Sequence, residues 1–332
     1  MLRRAAALVF LAALPPAALA QLGPPVPEQP ADTGGAPARA SDARASDDPA
    51  PQDASPRPDI QATLKLDVEH DFSADFDEAP GSVDVTRLRA DMEVAIPLEG
   101  GRAFTISLTN EYSAYSFDDA TGFVSGVSEP WDDVLDHQIA LGYRTRLGER
   151  WGLFVGGSAQ ASYEIGATFG DSLTYAVRGG LSYAVNERTR VGLGVAVVSR
   201  LEDSAFVIPF PIIEWQFADR WTLRTTGASR GALLSLAFQA TDNLELSLGA
   251  GIRGREFRLE DDGPVPDGVG SELGVPVLVA ARWNITPQIT LVAEAGAFVY
   301  RNYTLDDANG NELADIDTDI APAARVGVSF NF

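Results

Sequence analysis

The 332-residue chain contains no cysteine and only two histidines, His70 and His137. Without cysteine, disulfides, thiolate metal sites and cysteine nucleophiles are excluded. Histidine is the commonest general base in enzymes, and neither histidine lies in a Ser/His/Asp-like context. Both instead follow the apolar parity of their segments. We therefore predict a protein that is not an enzyme and has no catalytic residues, no resident metal and no cofactor.

Long apolar runs are also scarce, and the one candidate lies at the N-terminus. Arg3 and Arg4 precede an apolar stretch over residues 5–14, and residues 18–20 have the small-residue pattern of a cleavage site. A membrane helix needs roughly 20 consecutive apolar residues, and two prolines interrupt this run. Residues 1–20 are therefore predicted to be a secretory signal peptide.

The next segment has few large apolar side chains. Residues 21–59 are rich in Pro, Ala, Asp, Ser and Arg and cannot bury a core. We predict a disordered periplasmic linker here. The alternative is a plug folded into a barrel lumen, as in long-chain fatty-acid transporters, but a plug would need apolar residues of its own.

Positive charge is in the minority, because 25 Lys and Arg face 47 Asp and Glu, for a formal net charge of −22. This balance argues against a nucleic-acid partner. The acidic residues recur in segments 73–84, 118–131, 260–272 and 306–317, which we interpret as loops that could attract divalent cations. Residues 307–315 resemble a calcium loop but lack its Gly position and closing Glu, so an Asn-Gly turn is favoured.

What the chain does contain, from Ile60 to Phe332, is alternation of apolar and polar residues, the period of a strand with one apolar face. We count about 14 strands, with 12 as the alternative because Pro209 and Pro211 interrupt the pattern. The predicted fold class is all-β, a transmembrane antiparallel up-and-down barrel with short periplasmic turns and longer acidic extracellular loops. The predicted strands are 60–72, 84–98, 102–117, 133–147, 150–167, 172–185, 189–203, 206–217, 220–229, 231–240, 243–258, 273–285, 288–304 and 317–332.

A hairpin unit recurs along this domain: an aromatic, a short polar turn, and a bulky residue two positions before a leucine. It appears as Trp215, a turn and then Trp221-Thr222-Leu223, and again as Trp283, a turn and then Ile289-Thr290-Leu291. Aromatic rings at the ends of an apolar band are typical of the girdles of membrane barrels. The alternative, a soluble barrel with aromatics in its core, would require the opposite facing.

The last strand has one apolar face, formed by Ala324 and the residues of the proposed assembly signal, and the chain ends on an aromatic. This ending resembles the assembly signal of bacterial outer-membrane barrels. Together with the repeated hairpin, loops 201–204 and 259–263 and the turn 309–311, it makes residues 60–332 resemble uncharacterised outer-membrane β-barrel proteins, a family with a domain of unknown function. The assembly-signal residues are Val326, Val328, Phe330 and Phe332.

That resemblance implies a location in the outer membrane of a Gram-negative bacterium, with a periplasmic N-terminal tail. It implies contact with outer-membrane lipid, lipopolysaccharide and the barrel-assembly machinery. It carries over no catalytic or binding residue.

If apolar positions face lipid, the complementary positions face the lumen and are rich in charge. The mixed signs fit either a network of ion pairs that stiffens the wall or a conduit that selects small polar solutes. We predict a narrow porin-like channel; the alternatives are a non-conducting anchoring barrel that presents acidic loops, and a lipid-facing enzyme. The candidate lumen-lining residues are Arg87, Arg89, Asp91, Glu93, Arg144, Arg178, Glu214, Arg253, Arg255, Arg282, Glu294 and Arg325.

Overall fold

The computed structural model describes residues 60–332 except Glu78 and residues 229–230, so the predicted signal peptide and linker lie outside the described residues. No described helix is long and apolar enough to cross a membrane. The strands are β1 (Gln61–Asp75), β2 (Ser82–Leu98), β3 (Arg102–Asp118), β4 (Asp133–Leu147), β5 (Trp151–Glu164), β6 (Leu173–Asn186), β7 (Thr189–Val198), β8 (Phe206–Ala218), β9 (Trp221–Ala228), β10 (Gly231–Thr241), β11 (Leu244–Arg258), β12 (Val269–Asn284), β13 (Ile289–Asp306), β14 (Glu312–Asp317) and β15 (Ala321–Asn331).

These strands form one closed antiparallel barrel. Each pairs with its neighbour in sequence from β1 to β13, and β15 closes the wall by pairing with both β13 and β1. Segments β14 and β15 both pair with β13 and are two parts of one wall strand, so the fifteen segments make fourteen wall strands. The predicted up-and-down barrel of 14 strands is confirmed, and the alternative count of 12 is wrong.

The two rims of the barrel differ in the length of their connections. At the turn rim, strands are joined by short hairpins such as 99–101 and 148–150, where Gly100 and Gly148 adopt the positive φ that tight turns need. At the loop rim the connections are longer, as in 119–132 and 259–268. Short turns at one rim and longer loops at the other are the arrangement that outer-membrane barrels have.

The outer surface carries the apolar face of the strands. Trp151, Trp215 and Trp283 are about half exposed around the turn rim, while Val326 and Phe332 are 64% and 78% exposed. A continuous apolar exterior of this kind requires lipid rather than water. Charged side chains point inward, so the soluble-barrel alternative is wrong and the barrel is transmembrane.

The inner face is less uniformly polar than the alternation predicted. Phe154, Phe210 and Phe257 point into the barrel and stand directly opposite Gly180, Gly194 and Gly270 on neighbouring strands. A Cβ built on Gly194 would lie 2.2 Å from the Phe210 ring, so the missing side chain provides the space in which the ring lies. This is a cross-strand arrangement in which an aromatic covers a strand glycine.

Candidate channel lumen

A buried layer of ion pairs crosses the middle of the lumen. Arg301 is fully buried on β13, and its Nη2 lies 3.1 Å from Asp71 Oδ2 and 3.1 Å from Glu272 Oε1. Arg87 on β2 binds the same two carboxylates, with 2.9 Å to Glu272. The Tyr115 hydroxyl donates to Glu272 Oε2 at 2.9 Å. Each buried carboxylate is thereby balanced, as enclosed charge requires.

A second set of contacts spans strands that are not neighbours in the wall. Arg253 on β11 donates to both carboxylate oxygens of Glu69 on β1 at 2.8 and 3.0 Å. Arg255, two positions further along β11, donates to the Ser113 hydroxyl on β3 at 2.8 Å and lies 3.6 Å from Glu111. Because these side chains meet across the barrel, the lumen at this level is filled by side chains.

The layer continues toward the turn rim with pairs that are more open to solvent. Arg89 forms a two-pronged contact with Asp91, both distances being 2.8 Å. Arg325 on the last strand donates to Glu294 at 3.0 and 2.6 Å and lies 3.4 Å from Asp67.

A cavity of about 30 Å³ remains inside this layer. That is room for about one or two water molecules. It is lined by Asp67, Glu69, Arg87, Arg89, Glu111, Arg253, Gly254, Arg255, Glu272 and Phe298.

Above the ion-pair layer, an aromatic cap closes the mouth at the loop rim. Loop 119–132 folds into the barrel and places Phe123 and Trp131 against inward rings from the wall, with Trp131 only 1% exposed. The Trp131 ring centroid lies 5.3 Å from that of Phe257 and 6.0 Å from that of Tyr303. These rings pack against one another and fill the space inside the barrel at this level.

Two further contacts hold the loop rim closed. Strands β5 and β11 meet there in a single parallel pair, Tyr163 with Arg258, although five wall strands separate them along the sheet. The Glu164 carboxylate accepts hydrogen bonds from backbone N–H groups of loops 119–132 and 259–268, at 3.0 Å from Asp132 and 2.9 Å from Glu260. In the same region, Thr168 hydrogen-bonds the exposed Asp261 and lowers the pKa of its carboxyl.

Toward the turn rim the inward side chains are more exposed than in the ion-pair layer, and we call this part of the lumen the vestibule. Arg144, Arg178 and Glu93 face it from neighbouring parts of the wall, and Arg282 is exposed within it. Glu214 lies 3.3 Å from Arg190 at the same end. All twelve candidate lumen residues point inward, but at two levels. Arg87, Arg89, Arg253 and Arg255 line the cavity in the buried layer, and the other eight lie nearer the turn rim.

Three central residues are absent from the sequence-based set. Asp71 could have been found by continuing the alternation of β1 one step beyond Glu69. The sequence pattern predicts a loop at Glu272, whereas β12 begins at Val269. Arg301 lies beyond a bulge at which Val275 pairs with Tyr300 and Pro276 with Phe298. A bulge shifts the alternation of inward and outward residues along a strand by one position. Strict alternation from the inward Glu294 would therefore place Arg301 on the outer face, and only the bulge turns it inward.

The remaining candidates lie away from the lumen. The Nδ1 atoms of His70 and His137 contact Thr86 Oγ1 and Asn110 Oδ1 on the outer face, at 2.9 and 2.8 Å. Within the described residues no group of three or more His, Asp or Glu side chains could hold a metal ion. Asp307 accepts hydrogen bonds from Asn309 and Asn311, so this segment is a turn, and the Asn311 contacts lower the pKa of Asp307.

Comparison with known proteins gives one family match. A family described as "Domain of unknown function (DUF6268)" matches residues 101–332. No curated protein matches the chain.

Solved structures similar to this chain are channels and porins by their descriptions. An outer membrane channel from Pseudomonas putida F1 is 12% identical, with a TM-score of 0.47, and the match covers 84% of this chain and 99% of that one. The P. putida toluene transporter TodX is 10% identical (TM-score 0.41, covering 83% and 91%). The NanC porin is 12% identical (TM-score 0.32, covering 80% and 98%).

Proposed function

We propose a gated-channel function for this chain, which belongs to the DUF6268 family of domains of unknown function. In this proposal the barrel lies in an outer membrane and passes small polar solutes between the vestibule at the turn rim and the mouth at the loop rim. The observation that carries it is the manner of closure: loop 119–132, rather than the wall alone, supplies Phe123 and Trp131 to the cap.

A loop that seals the mouth can move without unfolding the wall. The Trp131 indole N–H and the Tyr303 hydroxyl are buried without a hydrogen-bond partner among the described residues. A buried polar group without a partner costs about 1–3 kcal/mol, so the closed cap holds groups that water would satisfy once the loop moved. The ion-pair layer and the vestibule both carry charged side chains. Charged walls favour hydrated polar solutes over apolar ones along the barrel axis.

Strand number supports a narrow path. Barrels of about 8 strands are filled by side chains, whereas 16–18 strands leave an aqueous channel. At the loop rim, the contact between β5 and β11 divides the wall into two parts. Nine wall strands, including β5 and β11 themselves, surround the filled region, and the other five, β6–β10, lie on the other side of the contact. The full set of fourteen surrounds the vestibule, so the two levels differ in width.

Single-channel recording of the refolded protein in planar bilayers tests the proposal. Wild type is expected to open rarely, and Trp131→Ala to raise the open fraction several-fold because the cap loses its central ring. Trp151→Ala, on the outer girdle, is the matched control and should leave the open fraction unchanged. In a KCl gradient the open state should prefer the anion, since Arg144, Arg178 and Arg282 face the vestibule.

Silence from both wild type and Trp131→Ala, with the barrel folded, would reject the channel and support the non-conducting anchoring barrel. One observation favours that second function: Arg301 and Asp71 are fully buried and Glu272 is 8% exposed, as in a permanently closed core. In either case we expect outer-membrane lipid and lipopolysaccharide to surround the barrel.

We also propose that the barrel-assembly machinery recognises the last strand, whose outer face carries Val326, Val328, Phe330 and Phe332. Deletion of Phe332 should reduce the amount of heat-modifiable barrel in the outer membrane while leaving secretion intact. Normal amounts of folded barrel would reject this role.

A further inference from the structure

A single carboxylate connects the two loops that close the loop rim. Glu164, the last residue of β5, is only 3% exposed, and its two oxygens accept the backbone N–H groups of Asp132 and Glu260 at 3.0 and 2.9 Å. Asp132 directly follows Trp131 of the aromatic cap. Glu260 directly follows Leu259, which belongs to the same buried cluster. The position of one side chain is therefore coupled to the positions of both loops.

Glu164 lies above the membrane rather than within it. Strand β5 has 14 residues and begins at Trp151, in the girdle at the turn rim. At about 3.3 Å per residue and a strand tilt of about 40°, the far end of β5 lies roughly 33 Å above that girdle. The apolar band of a barrel is about 25 Å tall, so the two loops, and not lipid, bury this carboxylate.

No cation compensates the buried charge of Glu164. Its charged neighbours on the segments packed against the end of β5 are Asp132, Asp133, Asp171, Arg258, Glu260 and Asp261. Arg258, the one cation of this set, donates instead to the Glu202 carboxylate and to two backbone carbonyl oxygens. Among the described residues Glu164 has no ion-pair partner.

Burial therefore dominates the proton affinity of Glu164. Desolvation of the charged form raises the pKa of its carboxyl from the usual 4.5 to about 7, and repulsion by Glu260 and Asp132 acts in the same direction. The two N–H bonds oppose this shift only in part. If the loops separated, water would reach the carboxylate and its pKa would return toward the usual value. A protonated carboxyl still accepts hydrogen bonds, so the closed contacts are compatible with the uncharged form.

The direction of the pH effect follows from the difference between the closed and the open state. The closed state has the higher pKa, so it binds a proton more readily than the open state. The added stability of the closed state is complete below the usual value of 4.5 and is lost as the pH rises through about 7. Between pH 5 and pH 8 the ratio of closed to open cap should fall about tenfold or more.

We propose that Glu164 is a pH-sensitive switch, which stabilises the closed cap when protonated and favours release of loops 119–132 and 259–268 when ionised. The inference rests on the gated channel proposed above and adds the group that controls the gate. The channel then admits solutes at neutral pH and closes in acidic surroundings.

Hydrogen exchange of residues 119–132 measures release of the loop without requiring conduction. The refolded protein is placed in phosphatidylcholine vesicles at pH 5 and pH 8, and each rate is divided by the intrinsic rate of the unfolded peptide at the same pH. In wild type the corrected rate should be about tenfold or more higher at pH 8. In Glu164→Gln, whose side chain stays uncharged, it should be low at both pH values. Equal corrected rates in wild type would overturn the proposal.

Asp306→Asn is the matched control. Asp306 is half-buried at the loop rim and burial also raises the pKa of its carboxyl, but among the described residues its side chain bonds to neither loop. This variant should keep the pH dependence of wild type. A pH dependence that persisted in Glu164→Gln and disappeared in Asp306→Asn would reject Glu164 as the switch.

A second variant covers the case in which Glu164→Gln does not fold. Asp132→Asn with Glu260→Gln removes the two negative charges that repel Glu164 and leaves both backbone donors in place. The midpoint of the pH dependence should move to lower pH, and an unchanged midpoint would reject the proposal.

The open fraction in planar bilayers, recorded at the same two pH values, separates this proposal from the channel itself. A protein whose loop responds to pH but that never conducts rejects the channel alone. A conducting protein whose open fraction and loop exchange are equal at pH 5 and pH 8 rejects the switch alone.

Discussion

The loop-rim half and the turn-rim half of the barrel share one wall but have different interiors. In the upper half, arginines reach across from β11 to β1 and β3, and aromatic rings from the wall and from loop 119–132 fill the space above them. In the lower half, arginines such as Arg144 and Arg282 face a vestibule open to solvent. An inward arginine is therefore a buried structural group at one level and part of a solvated lining at the other.

Removing one buried partner should have the largest effect. Arg301→Ala leaves Asp71 and Glu272 with less compensation, and breaking a buried ion pair costs about 3–5 kcal/mol. Arg282→Ala in the vestibule should change stability by no more than about 0.5 kcal/mol. Urea unfolding in lipid vesicles compares the two variants. Equal losses would show that the two halves do not differ in this way.

Placing an arginine on the lipid-facing side of a strand should have the next largest effect on stability. Leu246 is exposed on the outer face near the turn rim, while the adjacent Ser247 points inward. Arginine on the lipid face costs about 2–4 kcal/mol at the midplane and less near the interface, so we expect about 2 kcal/mol for Leu246→Arg. Ser247→Arg meets water and the neighbouring Glu245, and should cost less. The urea midpoints of the two variants in vesicles measure both losses of stability. A larger loss for Ser247→Arg would mean that Ser247, and not Leu246, faces lipid.

Filling the space beneath an inward ring tests the apolar part of the inner wall. Gly194→Ala places a Cβ against the Phe210 ring, and overpacking of this kind costs about 1–3 kcal/mol. Gly170→Ala is the control, because nothing lies within 4 Å of its Cβ position. Phe210→Leu in the Gly194→Ala background should recover part of the loss. If Gly194→Ala left the free energy of unfolding unchanged, the Phe210 ring would not lie over the glycine.

The smallest effect is expected at the loop tip. Hydrogen bonds from Asn311 and Asn309 lower the pKa of Asp307 below its usual 3.8. A lowered folded-state pKa stabilises the turn above the unfolded value, and this stabilisation is lost as the pH falls through the folded one. Hydrogen exchange at Asn309 and Asn311 should therefore speed up only below about pH 4. Asp307→Asn should abolish the pH dependence of exchange. If the pH dependence persisted in this variant, a group other than Asp307 would be responsible for it.

Much of the barrel was predictable because its signals are local. Most strand bounds, the outward aromatics at Trp215 and Trp283, and the disturbance at Pro209 and Pro211 can each be read from residues that lie a few positions apart. The last strand shows where this ends: the sequence predicts one strand over 317–332, whereas β14 covers Glu312–Asp317 and β15 begins at Ala321. Both segments pair with β13, so only the completed ladder shows that they belong to one wall strand.

The sequence alone was enough to establish the period of the strands and the face that meets lipid, because alternation and terminal aromatics act between near neighbours. It left the number of strands at 14 or 12. Which inward groups meet depends on the closed barrel, because Arg253 and Glu69, or Arg87 and Glu272, come together through closure of the wall. Three further features depend in the same way on partners far away in sequence: the bulge before Arg301, the inward position of Trp131 and the contact of Arg258 with Tyr163. Alternation places a side chain on a face, but the width of the barrel decides what that side chain touches.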